Sequence, residues 1–454
     1  MKTQKVDMIS GSLWKAILRF AFPLALISLI QNLFSSVDMI VLGQMADTGA
    51  VASVGATAVI VGLIVNFFFG FSTGAKVVLA RYFGERNEER VRKTVSTAML
   101  TSLAFGVLAA ILGVWLAEPF LKLTKCPADC FAGALQYMRI YLAASPAIMI
   151  YNYGTSVISV SGDSVRPLYY MMISGGLNVV LNFILCWIMP QKVAAVAIAS
   201  VVSQVVGALL VLWNLARSKD MCRWDLRHPS WSGSSFGRLM ANGIPLALNS
   251  AMAPLANLQI QSAVNSLGSS VMAGNSASLY IESLENSLST TPLSAATTAF
   301  VGQNIGAKKP RRVRDTILYS LALGIGISLI LSTLAMCFSE PLASLFVGSD
   351  PAAIEATQIR MSFVVQFYFM CVVNSVVGHA IQAFGYPTFA TVANIVGVLL
   401  FRFFWMTVIY PTYSGFFSVC LCFLVSWVLT MIGQGIFLFY VYFGKFKKGT
   451  LKSM

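Results

Sequence analysis

The chain is written as long apolar runs separated by short polar hinges. No Lys, Arg, Asp or Glu interrupts residues 239–281, 361–401 or 403–444, and each run is about twice the ~20 residues one helix needs to cross hydrocarbon. Each must therefore fold back on itself. Hinges carrying Gly, Pro, Ser or charge divide the chain into twelve predicted spans, near 15–45, 50–80, 93–117, 131–160, 167–189, 193–216, 236–266, 269–303, 316–338, 352–384, 388–410 and 414–443. Composition agrees with lipid as the main solvent: 57% of residues are apolar and 11% charged, against about 25% charged in a soluble domain.

Charge then sets orientation. The net charge is +14, which by itself suggests nucleic acid as a partner. With a cytoplasmic N-terminus, however, 24 of the 31 Lys and Arg fall on the cytoplasmic side. They lie around residues 2–19, 81–93, 166, 217–238, 308–314 and 445–452, and the outer loops hold only Lys122, Lys125 and Lys192. This is the positive-inside pattern. It predicts a multi-pass protein of the cell (inner) membrane with both termini cytoplasmic, and no separate basic domain for nucleic acid. Lys15 and Arg19 flank a first span too long for a cleavable signal.

The sequence also repeats itself at an offset of 222. Pro23-Leu24-Ala25-Leu26 returns as Pro245-Leu246-Ala247-Leu248, Arg90-Val91-Arg92 as Arg312-Val313-Arg314, and Glu118-Pro119 as Glu340-Pro341; Arg139 has a near-counterpart in Arg360. Each half holds six spans, an even number, so both enter from the same side. The predicted fold is an all-α integral membrane protein with twelve transmembrane helices in two six-helix lobes. A parallel internal repeat relates them by a pseudo-two-fold along the membrane normal, with a substrate path between the lobes. The expected domains are an N-lobe (1–216), a cytoplasmic linker (217–235), a C-lobe (236–444) and a basic tail (445–454). Major-facilitator transporters share this plan, but the loop from Gly84 to Arg92 does not fit their signature.

Ionisable groups inside the bilayer are functional hypotheses. In the first lobe, Gln31, Ser35 and Asp38 share one helical face, about four turns beyond Pro23, a residue that allows that helix to bend. Asn152, Asn178, Asn182, Ser200 and Gln204 add amide and hydroxyl groups from spans 4, 5 and 6. One carboxylate among such oxygens suits a small hard cation; a desolvated carboxylate equally suits a proton. Structural hydrogen bonding between helices is the alternative for the asparagines. In the second lobe, Ser278, Glu282, Glu285 and Ser289 form a polar stripe on span 8. Arg402 is expected to neutralise one of these glutamates as an ion pair and the other to draw in a cationic ligand; the alternative is a purely structural pair with the other acid protonated. Asn257, Gln261 and His379 complete the candidate substrate cavity. Three acids against one clearly deep arginine favour cationic cargo.

Two further patterns are discounted. Gly70-Phe71-Ser72-Thr73-Gly74 matches a hydrolase elbow, but it sits inside span 2, where small residues serve helix packing. Cys126 and Cys130 are close enough in sequence to bridge, although spacing alone does not establish a disulfide. Lys76 and Arg81 are expected to snorkel to the headgroups.

The runs Val37-Asp38-Met39-Ile40-Val41-Leu42-Gly43, Ala80-Arg81-Tyr82-Phe83-Gly84, Gly162-Asp163 before Pro167, Gly302-Gln303-Asn304-Ile305-Gly306 and Arg402-Phe403-Phe404-Trp405 before Pro411 resemble the multidrug and toxic compound extrusion (MATE) family over essentially the whole chain. The resemblance implies a non-enzymatic secondary antiporter. Such a protein exports organic, usually cationic, compounds in exchange for H+ or Na+ by alternating access, with no cofactor beyond that ion, and is expected to act as a monomer. It implies a coupling-ion role for Asp38, joined by Asn178, Ser200 and Asn152. Asn182 departs from the family pattern, which has an acid there. The alternative within the same superfamily is a flippase for lipid-linked oligosaccharide or peptidoglycan precursors.

Overall fold

A computed structural model describes residues 5–45, 48–124, 126–225 and 227–446. The side chains of Ser35, Ser36, Asp38, Met39, Thr48 and Ala253 lie outside the described set, as do Lys2, Lys125 and the tail beyond 446. Among the described residues the secondary structure is helical throughout.

Twelve helical stretches follow the predicted spans. They are α1 (Leu13–Met45), α2 (Thr48–Gly84), α3 (Glu88–Leu123), α4 (Ala128–Ala143 and Ser145–Val160), α5 (Val165–Ile188) and α6 (Lys192–Arg217). Then come α7 (Gly233–Ser266), α8 (Ser269–Glu285, a π-turn at Asn286–Thr290, and Thr291–Gly306) and α9 (Pro310–Cys337). After a short helix at Ser339–Val347 follow α10 (Pro351–Arg360, Met361–Val365 and Phe369–Ala383), α11 (Pro387–Ile409) and α12 (Phe416–Phe446). Among the described residues, eight helices are long and apolar enough to cross a membrane unaided; α10, bent by 41°, makes a ninth. The others are broken or more polar: α4 turns at Ala144 before Pro146, and α7 and α8 are rich in Asn, Gln and Ser.

Local chemistry sets the boundaries. Asn87 caps α3 by accepting from the Arg90 amide at 3.0 Å. Asp350 caps α10, accepting from the Ala352 and Ala353 amides, and Pro310, Pro351 and Pro387 open their helices, where a missing N–H costs nothing. The repeat extends to the backbone. Among the described residues, the non-glycine residues with positive φ are Arg86 (54°) and Lys308 (55°), 222 positions apart, each in the tight turn that follows a repeated helix end.

Contacts divide the chain into two units. One comprises Leu26–Ala247 with the segment ending at Val6, the other Asp7–Ala25 with the chain from Leu248 onward. Helix α1 therefore changes unit between Ala25 and Leu26, and α7 between Ala247 and Leu248, the same point of the repeat. α1 itself runs unbroken through Pro23. In the first unit α2, α3, α4 and α6 bury a core around Leu79, Tyr82, Val95, Met99, Tyr153 and Leu215. In the second, α8, α9, α10 and α12 pack around Val301, Ile305, Val313, Phe384 and Val441. Large side chains such as Trp115 and Trp187 point outward instead, 76% and 81% exposed, as lipid-facing residues do.

The hydrolase-like glycines are packing residues. A Cβ on Gly70 would strike the backbone of Leu246 and Ala247, and one on Gly74 the backbone of Gly243, so α2 and α7 approach at backbone distance. Lys76 and Arg81 do not reach outward as expected: both are buried, with Arg81 3.9 Å from Glu85. Their positions face the packed side of α2, which outweighs the length of their stems. Cys126 and Cys130 are unbridged.

Candidate functional site

Two buried polar clusters stand out, one in each unit. In the first, Gly175, Asn178 and Asn182 line one face of α5 at i, i+3 and i+7. A Cβ at Gly175 would overlap the Phe34 ring, so α1 lies directly on this face. The Asn178 amide donates to Ser200 Oγ of α6 at 3.2 Å, and the Asn182 amide to Asn178 Oδ1 at 3.3 Å. Asn182, where the family pattern has an acid, is fully buried. Asn152 is half-buried and donates to the Ile148 carbonyl of its own helix at 3.0 Å, a bond that does not join it to this cluster. Gln31 is exposed. The Asp38 and Ser35 side chains lie outside the described set; position 38 is one helical turn beyond Phe34.

In the second unit, close approach of two backbones makes an ion pair possible. A Cβ on Gly274 of α8 would collide with the Ala353 carbonyl oxygen of α10. Ser278 Oγ donates to the Thr357 carbonyl at 3.2 Å, and Thr357 Oγ1 to the Gly274 carbonyl at 3.3 Å. Two turns further, Arg360 meets Glu282 through two parallel bonds, Nε to Oε1 at 2.6 Å and Nη2 to Oε2 at 3.1 Å; its Nη1 donates to Asn275 Oδ1 at 2.9 Å. Arg360 is 1% exposed, and its guanidinium lies 4.7 Å from the centroid of the Phe423 ring.

The expected partner was Arg402, and this is corrected. Arg402 of α11 is buried and lies over the same Phe423 ring at 4.2 Å, but it donates to Asn257 Oδ1 at 3.0 Å and Ser426 Oγ at 3.2 Å. No carboxylate lies within ion-pair reach of it among the described residues. Glu282, expected to line a cavity, is instead committed to Arg360. Glu285 is buried and receives a hydrogen bond from Ser328 Oγ of α9. Gln261 donates to Asn265 within α7 at 2.8 Å, and His379 Nδ1 is 2.8 Å from the Ser375 carbonyl one turn back. These hydrogen bonds do not join either to the Glu282–Arg360 cluster. Among the described residues no group of three or more His, Cys, Asp or Glu could hold a metal ion. The signal for Arg360 was its position: it stands nine residues after Pro351, about 14 Å into the span, and the helical path continues beyond it through Met361–Val365.

Helices throughout the described residues, halves that repeat, and apolar side chains turned outward define a multi-pass membrane protein. The family model MatE matches residues 23–184 and 245–408, once in each half of the repeat, and the chain belongs to this family, one of transporters of small organic compounds rather than enzymes. It is 26% identical over 361 residues to the probable multidrug resistance protein YoeA of Bacillus subtilis, covering 77% of each chain. It is also 24% identical over 403 residues to an FAD transporter of Shewanella oneidensis, covering 87% of each. A solved outward-facing structure of a multidrug resistance MATE family transporter of the MOP superfamily shares its fold, with a TM-score of 0.89 and 21% identity over 99% of this chain and 100% of that one.

Proposed function

We propose that the protein is a multidrug efflux antiporter that exchanges inward-moving H+ or Na+ for organic cations. It would act as a monomer in the cytoplasmic membrane, with both termini inside. The observation that carries the reading is the buried Asn178–Asn182–Ser200 cluster lying against α1 where Phe34 covers Gly175. α1 and α5 are both odd-numbered spans and so run in the same direction. One turn beyond Phe34 therefore brings position 38 level with Asn178. A carboxylate at that level would have amide and hydroxyl groups to complete the shell of a small cation, or would bind a proton. One ligand can then shift the conformational balance only by its differential affinity for the two states, and Pro23, two residues before α1 changes unit, is where the helix would bend.

The test is accumulation of a fluorescent organic cation inside inverted vesicles, whose outer face is the cytoplasmic one, bearing wild type or Asp38→Asn. The variant should insert normally and lose gradient-driven transport; undiminished transport would refute the assignment.

A second reading has its own observation. Arg402 is buried against amide, hydroxyl and ring rather than a carboxylate, so the second unit holds one deep cation without a counter-ion, Arg360 being neutralised by Glu282. That arrangement favours anionic cargo, such as the pyrophosphate lipids of a flippase, and the FAD transporter among the relatives is named for an anionic compound. Inhibition of transport by organic anions and not by organic cations would select it.

A further inference from the structure

Glu285 is a buried acid that no cation answers among the described residues. It is 3% exposed. Ser328 Oγ donates to its Oε1, and Oε2 is buried without a partner. The charged and titratable groups around it are otherwise engaged. On its own helix, Glu282 is held by Arg360 of α10. Between the segments of α10, Tyr368 accepts from Asn286 at 3.0 Å; it and Cys371, three residues on, are the titratable groups that α10 brings near Glu285. Arg402 of α11 is engaged by Asn257 and Ser426. α9 brings the hydroxyls of Ser328 and Ser332, the latter bonded to the Ser328 carbonyl at 2.8 Å.

Energetics decide the state of the group. An ionised carboxylate buried without a counter-ion costs several kcal/mol, whereas a neutral carboxyl with one unpartnered oxygen costs about 1–3 kcal/mol. A bound Na+ is the weaker candidate, because hard cations take several oxygen ligands, about six or more for Ca2+, and two carboxyl oxygens with one hydroxyl fall well short. The helix leaves α geometry immediately after this residue, in the π-turn Asn286–Thr290, and such turns collect at functional sites.

We propose that Glu285 is a proton-binding site of the second unit, separate from the Asp38 position: a carboxyl that carries a proton on Oε2 in this conformation while Ser328 donates to its other oxygen. The use of this proton in transport rests on the antiport reading; its presence does not.

The test is infrared difference spectroscopy of the full-length protein in lipid between neutral and alkaline pH, read at the C=O stretch of protonated carboxyls. The band should be present in wild type and in Asp38→Asn, and lost in Glu285→Gln, whose amide matches the shape of the neutral acid. Ser328→Ala removes the hydrogen bond to the carbonyl and should move the band to higher frequency. A wild-type spectrum without the band, a band that survives Glu285→Gln, or one that Ser328→Ala leaves in place would overturn the proposal. Because no transport is measured, failure of the antiport reading leaves this result untouched.

Discussion

Replacing the two members of the buried Arg360–Glu282 pair should have unequal consequences. Removing one partner of such a pair costs about 3–5 kcal/mol, because the other is left charged in a medium that does not solvate it. The two survivors differ in how they escape. After Arg360→Met, Glu282 can take up a proton and become neutral. After Glu282→Leu, Arg360 keeps its charge, since a guanidinium does not deprotonate in proteins, and is left with Asn275 at 2.9 Å and the Phe423 ring at 4.7 Å. Glu282→Leu should therefore sit at the upper end of the range and Arg360→Met at the lower end, where about 3 kcal/mol is roughly a hundredfold in the folding equilibrium. The double variant replaces the pair with apolar side chains of similar volume and should recover most of the loss, as such replacements are often neutral or stabilising. Equilibrium unfolding in bicelles, read as a double-mutant cycle, measures all three. Arg360→Met costing more than Glu282→Leu, or a double variant as unstable as the sum of the singles, would refute the reasoning.

Two further outcomes follow from local geometry. Gly274→Ala places a Cβ against the Ala353 carbonyl, backbone that cannot rotate away, and should lower stability by about 1–3 kcal/mol, as overpacking does, with the Arg360 variants showing non-additive coupling to it. In the linker region, burial pushes the Asp220 carboxyl up, but the Lys5 ammonium beside it prevails and holds it below its ordinary value. The contribution of the Lys5–Asp220 ion pair is thus complete above the ordinary aspartate value of about 3.9 and fades only as pH falls below it. Hydrogen exchange at the Val6 amide, bonded to the Gly162 carbonyl at 3.0 Å, should keep its protection factor from pH 7 to 5; an opening within that range would contradict the sign.

The span limits were legible because lipid imposes length and apolarity together, and the twelve predicted intervals differ from the helices by a few residues. The repeat was legible in Pro23 and Pro245, and the matching turns at Arg86 and Lys308 carry it into the backbone. What composition could not express was which faces meet. Arg360 looked like a loop-proximal charge because it stands at the start of a long charge-free run, while Arg402 stood alone between two such runs and drew the pairing. The choice was made by the Gly274–Ala353 contact, a steric fact that depends on two backbones brought together by the fold. The π-turns in α8, in α10 (Met361–Val365), in α11 (Ile395–Leu400 and Trp405–Ile409) and at the end of α12 (Tyr440–Phe446) left no mark in the sequence either, since they alter hydrogen-bond register without requiring particular residues.

The central claim is exchange, and proteoliposomes loaded with a fluorescent organic cation test it most directly, with the Na+ and H+ gradients imposed separately across the wall. An inward gradient of one of the two ions should drive the cation out against its own gradient in wild type and not in Asp38→Asn. Transport that proceeds equally well with both gradients collapsed, or that the variant retains in full, would contradict the account.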